Sequence, residues 1–188
     1  MILGSFAIPA FSPIVLASVV ATVVSRSHFG DAAAFGVPEY HMDGWWELLP
    51  YTGLGLVSGI LSIVFTAFLY RAEDVVETSP IPPLLRPALG GVLVGGMFFI
   101  SPHLYGSGFS SIEALLQGDI AWTVAAGLIF WKTLACTTTL ASGGSGGVFS
   151  PSLFLGAAIG YSFGHVAQLI APQTITSPTA VSYTHLTL

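Results

Sequence analysis

The sequence predicts an all-α, polytopic membrane helix bundle with broken or re-entrant helices, and three observations carry that prediction. Charged residues make up 7% of the 188 positions and hydrophobic ones 53%, with a mean hydropathy of +0.83. A soluble domain carries about 25% charged residues, so this chain cannot cover a water-facing surface. Five stretches, roughly 6–25, 48–70, 87–100, 120–141 and 148–171, are nearly free of charge. Most approach the ~20 residues that cross a ~30 Å hydrocarbon core. Between the last two lies a run of glycines and serines that cannot form a lipid-facing helix.

The first block runs from about Ala10 to Arg26, with Pro9 and Pro13 in its first turns, where a missing N–H costs least. It lacks a basic lead and a small-residue cleavage site, so it is not expected to be a cleaved signal. Its start, Met1-Ile2-Leu3-Gly4, has no polar lead-in, as if the chain entered mid-protein. The polar segment that follows holds His28, His41 and four acids and ends at Trp45-Trp46, where an aromatic belt would meet the next span. The second block is expected to continue as helix through Arg71 toward Val76, longer than the membrane is thick and therefore tilted or projecting into water. Thr78 to Pro83 ends it.

The third block is short and glycine-rich and closes at Ser101-Pro102. A short helix is expected near 110–117, then a span over about Ala121 to Leu140, then the last block from Val148. The loop 71–86 holds Arg71 and Arg86, whereas 101–119 has no Lys or Arg and 27–47 has only acids and histidines. The excess of cations places loop 71–86 in the cytoplasm and the other two outside. Gly53, Gly55 and Gly59 in the second block, and Gly90, Gly91, Gly95 and Gly96 in the third, are expected to let helix backbones approach closely. The single cysteine, Cys136, lies inside a span and is expected to be a small packing residue. His28, His41 and His103 show no metal-ligand spacing, and no metal, cofactor or nucleic-acid partner is expected.

The informative stretch is Ala141-Ser142-Gly143-Gly144-Ser145-Gly146-Gly147-Val148-Phe149-Ser150-Pro151. Irregular backbone survives at membrane depth only where protein buries it or a water-filled cavity receives it. Pro151 fits the first turn of the following helix. Such a helix start leaves N–H groups unpaired and carries the positive end of the helix dipole, which together favour an anion. From Asp119 onward the only charged residue is Lys132. A halide therefore suits the break better than phosphate. A glycine hinge that only packs is the plainer alternative.

Gly147-Val148-Phe149-Ser150-Pro151 matches the GxFxP signature of the CLC chloride channel and chloride/proton antiporter family. Its flanks, SGGSGGVFSPSLFLGAAIG, resemble the loop and pore helix that open that family's second half. The order of blocks resembles it too, from residue 1 to about 180, roughly the middle of a CLC membrane domain. The resemblance implies a partial inverted-repeat fold and chloride transport, with chloride as the ligand and no cofactor. It also implies a homodimer in the lipid bilayer with one pore per subunit. Carried over residue by residue, it implies that the amides of Val148 and Phe149 coordinate chloride. Phe149 would border the pore, Gly146 and Gly147 would allow close approach, and Ser150 and Pro151 would complete the motif. Lys132 aligns with a basic position of the family and is an electrostatic candidate.

The family's GSGIP and GREGP segments and its late pore tyrosine have no counterpart here, and its inner glutamate would fall at or before Met1. Channel and antiporter therefore stay open. Tyr105-Gly106-Ser107-Gly108-Phe109 is a chance likeness to GSGIP, without its proline and out of order. Residues 177–180 resemble the entry to the next family helix. Residues 181–188 do not continue it and are expected to be a non-native tail.

Two rivals remain. One is another secondary transporter with a broken helix. The other is a rhomboid-like intramembrane serine protease, with Gly143-Gly144-Ser145-Gly146 as nucleophile motif and His165 as base. A base must stand within hydrogen-bond reach of its nucleophile, yet about 20 helical residues span on the order of 25–30 Å.

Overall fold

A computed structural model describes residues 8–30, 48–170 and 178–187. Its helices are α1 (Ile8–Phe29), α2 (Leu48–Glu77), α3 (Arg86–Phe98), α4 (Phe109–Gln117), α5 (Trp122–Ala141), α6 (Phe149–Ile170) and α7 (Pro178–Thr187). A single 3-10 turn, Pro102–Leu104, stands between α3 and α4. Among the described residues there is no strand. Four of the helices, α1, α2, α5 and α6, are long and apolar enough to cross a membrane.

The chain divides into two units, residues 1–36 and 37–188. In the first, α1 exposes every described side chain. Thr22 Oγ1 donates to Ser18 O and Ser27 Oγ to Val24 O, both at 2.8 Å, which hides the hydroxyls from an apolar surrounding. The segment 31–47, with His41 and the Trp45-Trp46 belt, lies outside the described residues.

In the second unit, α2 has 30 residues, about 45 Å at 1.5 Å per residue, as its length in sequence predicts. Thr78 ends it by donating its hydroxyl to Asp74 O at 2.8 Å. The turn after it folds around Arg86, whose Nε donates to Ile81 O at 3.0 Å and whose Nη2 donates to Glu77 O and Ser79 O at 3.4 Å. Pro87 occupies the first turn of α3. That helix has 13 residues, about 20 Å, so it stops short of a full crossing. Gly108, at φ +84, opens α4, and Gly118, at φ +80, closes it. These left-handed positions favour glycine. Helix α4 buries Ile112, Leu115 and Leu116 completely or nearly so.

Helix α6 is the most enclosed of the long helices, with half of its best span buried. Its Leu155 and Ile159 meet Leu54 of α2 and Val181 of α7 in one cluster, flanked by Tyr51 and Phe163. The close approach sits on the α6–α7 face. A Cβ on Gly160 would stand 2.8 Å from Ser182 Cα and 2.9 Å from Val181 O, and one on Gly164 2.8 Å from Pro178 Cα.

One expectation is corrected here. Of the glycines expected to pack helices together, Gly53 touches Phe163 and Gly90 meets Ser142, but Gly55, Gly59, Gly91, Gly95 and Gly96 face open space. The close-packing pair is Gly160 and Gly164, one turn apart on α6, as small residues spaced by four allow. Helix α7 runs from Pro178 to Thr187 without a break. Val181 and Ser182 are buried, and Ser182 Oγ donates to Ala157 O at 2.8 Å.

Candidate functional site

Helix α5 ends by folding its last turn back on itself. Ser142 N donates to Thr138 O, Gly143 N to Leu140 O and Gly144 N to Thr139 O, at 3.0 to 3.1 Å. Gly143 takes φ +81, which a side chain would strain. A Cβ on Gly144 would press against Thr139 O at 2.9 Å, and one on Gly146 against Thr139 Cγ2 at 3.2 Å. A chain with side chains at these points could not reverse so tightly. Gly147 differs: nothing lies within 4 Å of its would-be Cβ, so its open side is free for a ligand.

Next comes the start of α6. Ser152 N closes the first helical bond, to Val148 O at 3.0 Å. The preceding amides, Val148, Phe149 and Ser150, find no acceptor among the described residues, as a helix start requires. Pro151 has no N–H to leave unpaired. Val148 and Phe149 are 37% and 75% exposed.

Beside this helix start opens a cavity of about 330 Å³, lined by Gly146, Gly147, Ser150, Pro151, Lys132, Cys136, Gly106 and Ser107 among others. Five of the residues expected at the site thus share one cavity: Gly146, Gly147, Ser150, Pro151 and Lys132. Val148 and Phe149, the residues expected to hold the ion, are not among those that line it. Cys136 packs as expected, 8% exposed, and also edges the cavity.

Lys132 is 4% exposed. Its Nζ donates to Leu104 O and Gly106 O, both at 3.1 Å, and stands 5.3 Å from the centre of the Phe154 ring. Backbone carbonyls and an aromatic face thus stabilise a buried ammonium, which an apolar span otherwise penalises. Ser150 Oγ donates to Ser107 O at 2.6 Å. The loop 104–108 is therefore held from α5 by an ammonium and from α6 by a hydroxyl.

This loop, a chance likeness to GSGIP, contributes a cavity wall that its likeness does not announce. Gly108 was the available signal: a Cβ there would lie 3.0 Å from Phe154 Cδ2 and 3.5 Å from Lys132 Nζ. Only glycine lets the loop sit so close to both.

The protease pair is not assembled. Ser145 is exposed at the break, whereas His165 stacks edge-on against Tyr161, 4.7 Å between ring centres, well along α6.

A polytopic helical membrane protein, broken between two long helices, with unpaired amides at the break and a buried ammonium in the wall of a nearby cavity, is the class that fold and site define. The profile of the voltage gated chloride channel family matches residues 1–184, and the chain belongs to that family, whose members are channels and transporters rather than enzymes. It is 31% identical over 183 residues to a ClcB-like chloride channel protein of Ralstonia nicotianae, covering 97% of this chain and 42% of that protein. It is 34% identical over 179 residues to chloride channel protein CLC-f of Arabidopsis thaliana, covering 90% of this chain and 23% of that protein. With the H(+)/Cl(-) exchange transporter ClcA of Vibrio campbellii it shares 25% over 169 residues, 88% of this chain and 36% of that protein. The chain thus spans less than half the length of these relatives.

Proposed function

We propose that the intact protein moves chloride across a membrane, as a channel or as a chloride/proton antiporter, and that the start of α6 holds the ion. The amides of Val148 and Phe149 donate to chloride, Gly147 leaves room for it, and Pro151 fixes the helix start. Lys132 raises the local potential without touching the ion, and Ser150 fastens the opposite wall. The supporting observation is the run of unclaimed amides at residues 148–150 beside a cavity that receives a buried ammonium.

The electrostatics favour a weakly held monovalent anion. A helix N-terminus carries about half a positive charge. An ion ~4 Å from it at an effective dielectric of ~20 gains about 2 kcal/mol. That strength permits entry and release, as conduction requires. A multiply charged ligand would need more than one cation beside it.

In the same reading the intact protein works as a homodimer with one pore per subunit, and loop 71–86 faces the cytoplasm. The test is halide flux from the full-length parent in liposomes. Phe149→Ala and Gly147→Ala should change the chloride-to-bromide or chloride-to-nitrate ratio while the protein still folds. Unchanged ratios in both variants would overturn the site. Labelling of single cysteines placed at 80 and 105 from either side of the membrane tests the orientation.

A further inference from the structure

A second concavity, of about 610 Å³, lies between α2, α3 and α5. Phe68, Leu93 and Leu134 line its apolar body, and Arg71 and Arg86 stand in its lining. These are two of the four Lys and Arg residues in the chain. The volume falls within the ~300–1,000 Å³ of small-molecule sites. We infer that this groove binds an acidic phospholipid, with an acyl chain along the apolar body and the phosphate on Arg71.

The assignment of the headgroup follows from what each arginine already does. Arg86 gives its Nε to Ile81 O and its Nη2 to Glu77 O and Ser79 O, so it covers the negative end of α2. Arg71 is exposed and makes no hydrogen bond or ion pair among the described residues. The acids of the same helix end are Glu73, Asp74 and Glu77, and none of them lines the groove. The helix is split: residues 68, 71, 72, 75 and 76 of α2 line the concavity, with Ser79 from the turn beyond it, as the i, i+4 spacing of one face allows.

A further feature fits this occupant. The N-terminal turn of α3 also borders the groove, through Arg86 and Leu89, and adds the positive end of its dipole. An arginine at the edge of an apolar groove snorkels toward anionic headgroups.

The experiment uses the full-length parent, stripped of lipid in detergent. Native mass spectrometry then measures adducts with dioleoyl phosphatidylglycerol and dioleoyl phosphatidylcholine at equal concentration. The wild type should retain phosphatidylglycerol preferentially. Arg71→Gln should cut that preference about fivefold, the worth of one cation beside an acidic headgroup. Leu93→Trp, which fills the groove with apolar bulk, should reduce adducts of both lipids. Equal retention of the two lipids by the wild type would overturn the inference, and so would a preference that survives both substitutions. If another segment of the parent fills the groove, adducts will not respond to Leu93→Trp, and the lipid assignment fails.

Discussion

Replacing Lys132 by methionine separates the structural task of the buried ammonium from the electrostatic one proposed for it. The first is structural. Nζ supplies donors to Leu104 O and Gly106 O at 3.1 Å, and Leu104 is 1% exposed. Leaving a buried acceptor unsatisfied costs about 1–3 kcal/mol, which lowers the melting temperature of the parent whether or not chloride is present. The second task is electrostatic. An anion across a cavity of about 330 Å³ stands about 8 Å from the ammonium, and at an effective dielectric of about 20 their attraction is about 2 kcal/mol. That corresponds to about 30-fold in chloride affinity. Isothermal titration of chloride into the solubilised parent reads this loss directly, and thermal unfolding without chloride reads the structural part. Lys132→Arg keeps the charge and should recover most of the affinity. If Lys132→Met stays folded and binds chloride within twofold of wild type, the electrostatic role assigned to this residue is wrong.

Other substitutions test the packing and the cavity. Gly160→Ala drives a methyl into the backbone at Val181 and Ser182, 2.8 to 2.9 Å away, and overpacking of this kind costs about 1–3 kcal/mol. A matching fall in the melting temperature is expected, whereas Gly95→Ala, with nothing within 4 Å, should not lower it. Ser150→Ala removes the 2.6 Å bond to Ser107 O, worth about 1 kcal/mol; amide exchange at 106–108 should quicken while α5 keeps its protection. Cys136 edges the cavity near Lys132. A negatively charged thiosulfonate should therefore modify it faster than a positively charged one, and chloride should slow the reaction. Equal rates would mean that the cavity carries no positive potential.

Much of the fold was legible because lipid enforces simple rules. Charge-free blocks of spanning length can only be helices, and TSPIPP and the glycine-serine run had to interrupt them. The short α3 and α4 followed from block length and flanking glycines. What was not legible depends on which faces meet. Gly55, Gly59, Gly91 and Gly95 have the spacing of a packing face and yet meet nothing, while Gly160 and Gly164 carry the contact with α7; spacing alone does not name the partner helix. At the site, the motif pointed to the break and to Lys132. It did not reveal that Lys132 and Ser150 both grip the loop 104–108, because those bonds join positions 26 to 43 residues apart. Hydrogen bonds to carbonyls leave no trace in residue type at the accepting end.

The way that loop is gripped has an electrostatic consequence. Peptide oxygens turned toward a passing halide would repel it. Here Ser101 O, Pro102 O and Gly108 O accept from backbone amides, His103 O from the Ser111 hydroxyl, Leu104 O and Gly106 O from Lys132, and Ser107 O from Ser150. The partial negative charge of this strip is thus muzzled at seven of its eight oxygens, all but Tyr105 O among the described residues. A bare backbone ribbon is ordinarily hospitable to sodium or potassium; this one would be near-neutral ground for the anion proposed to pass it.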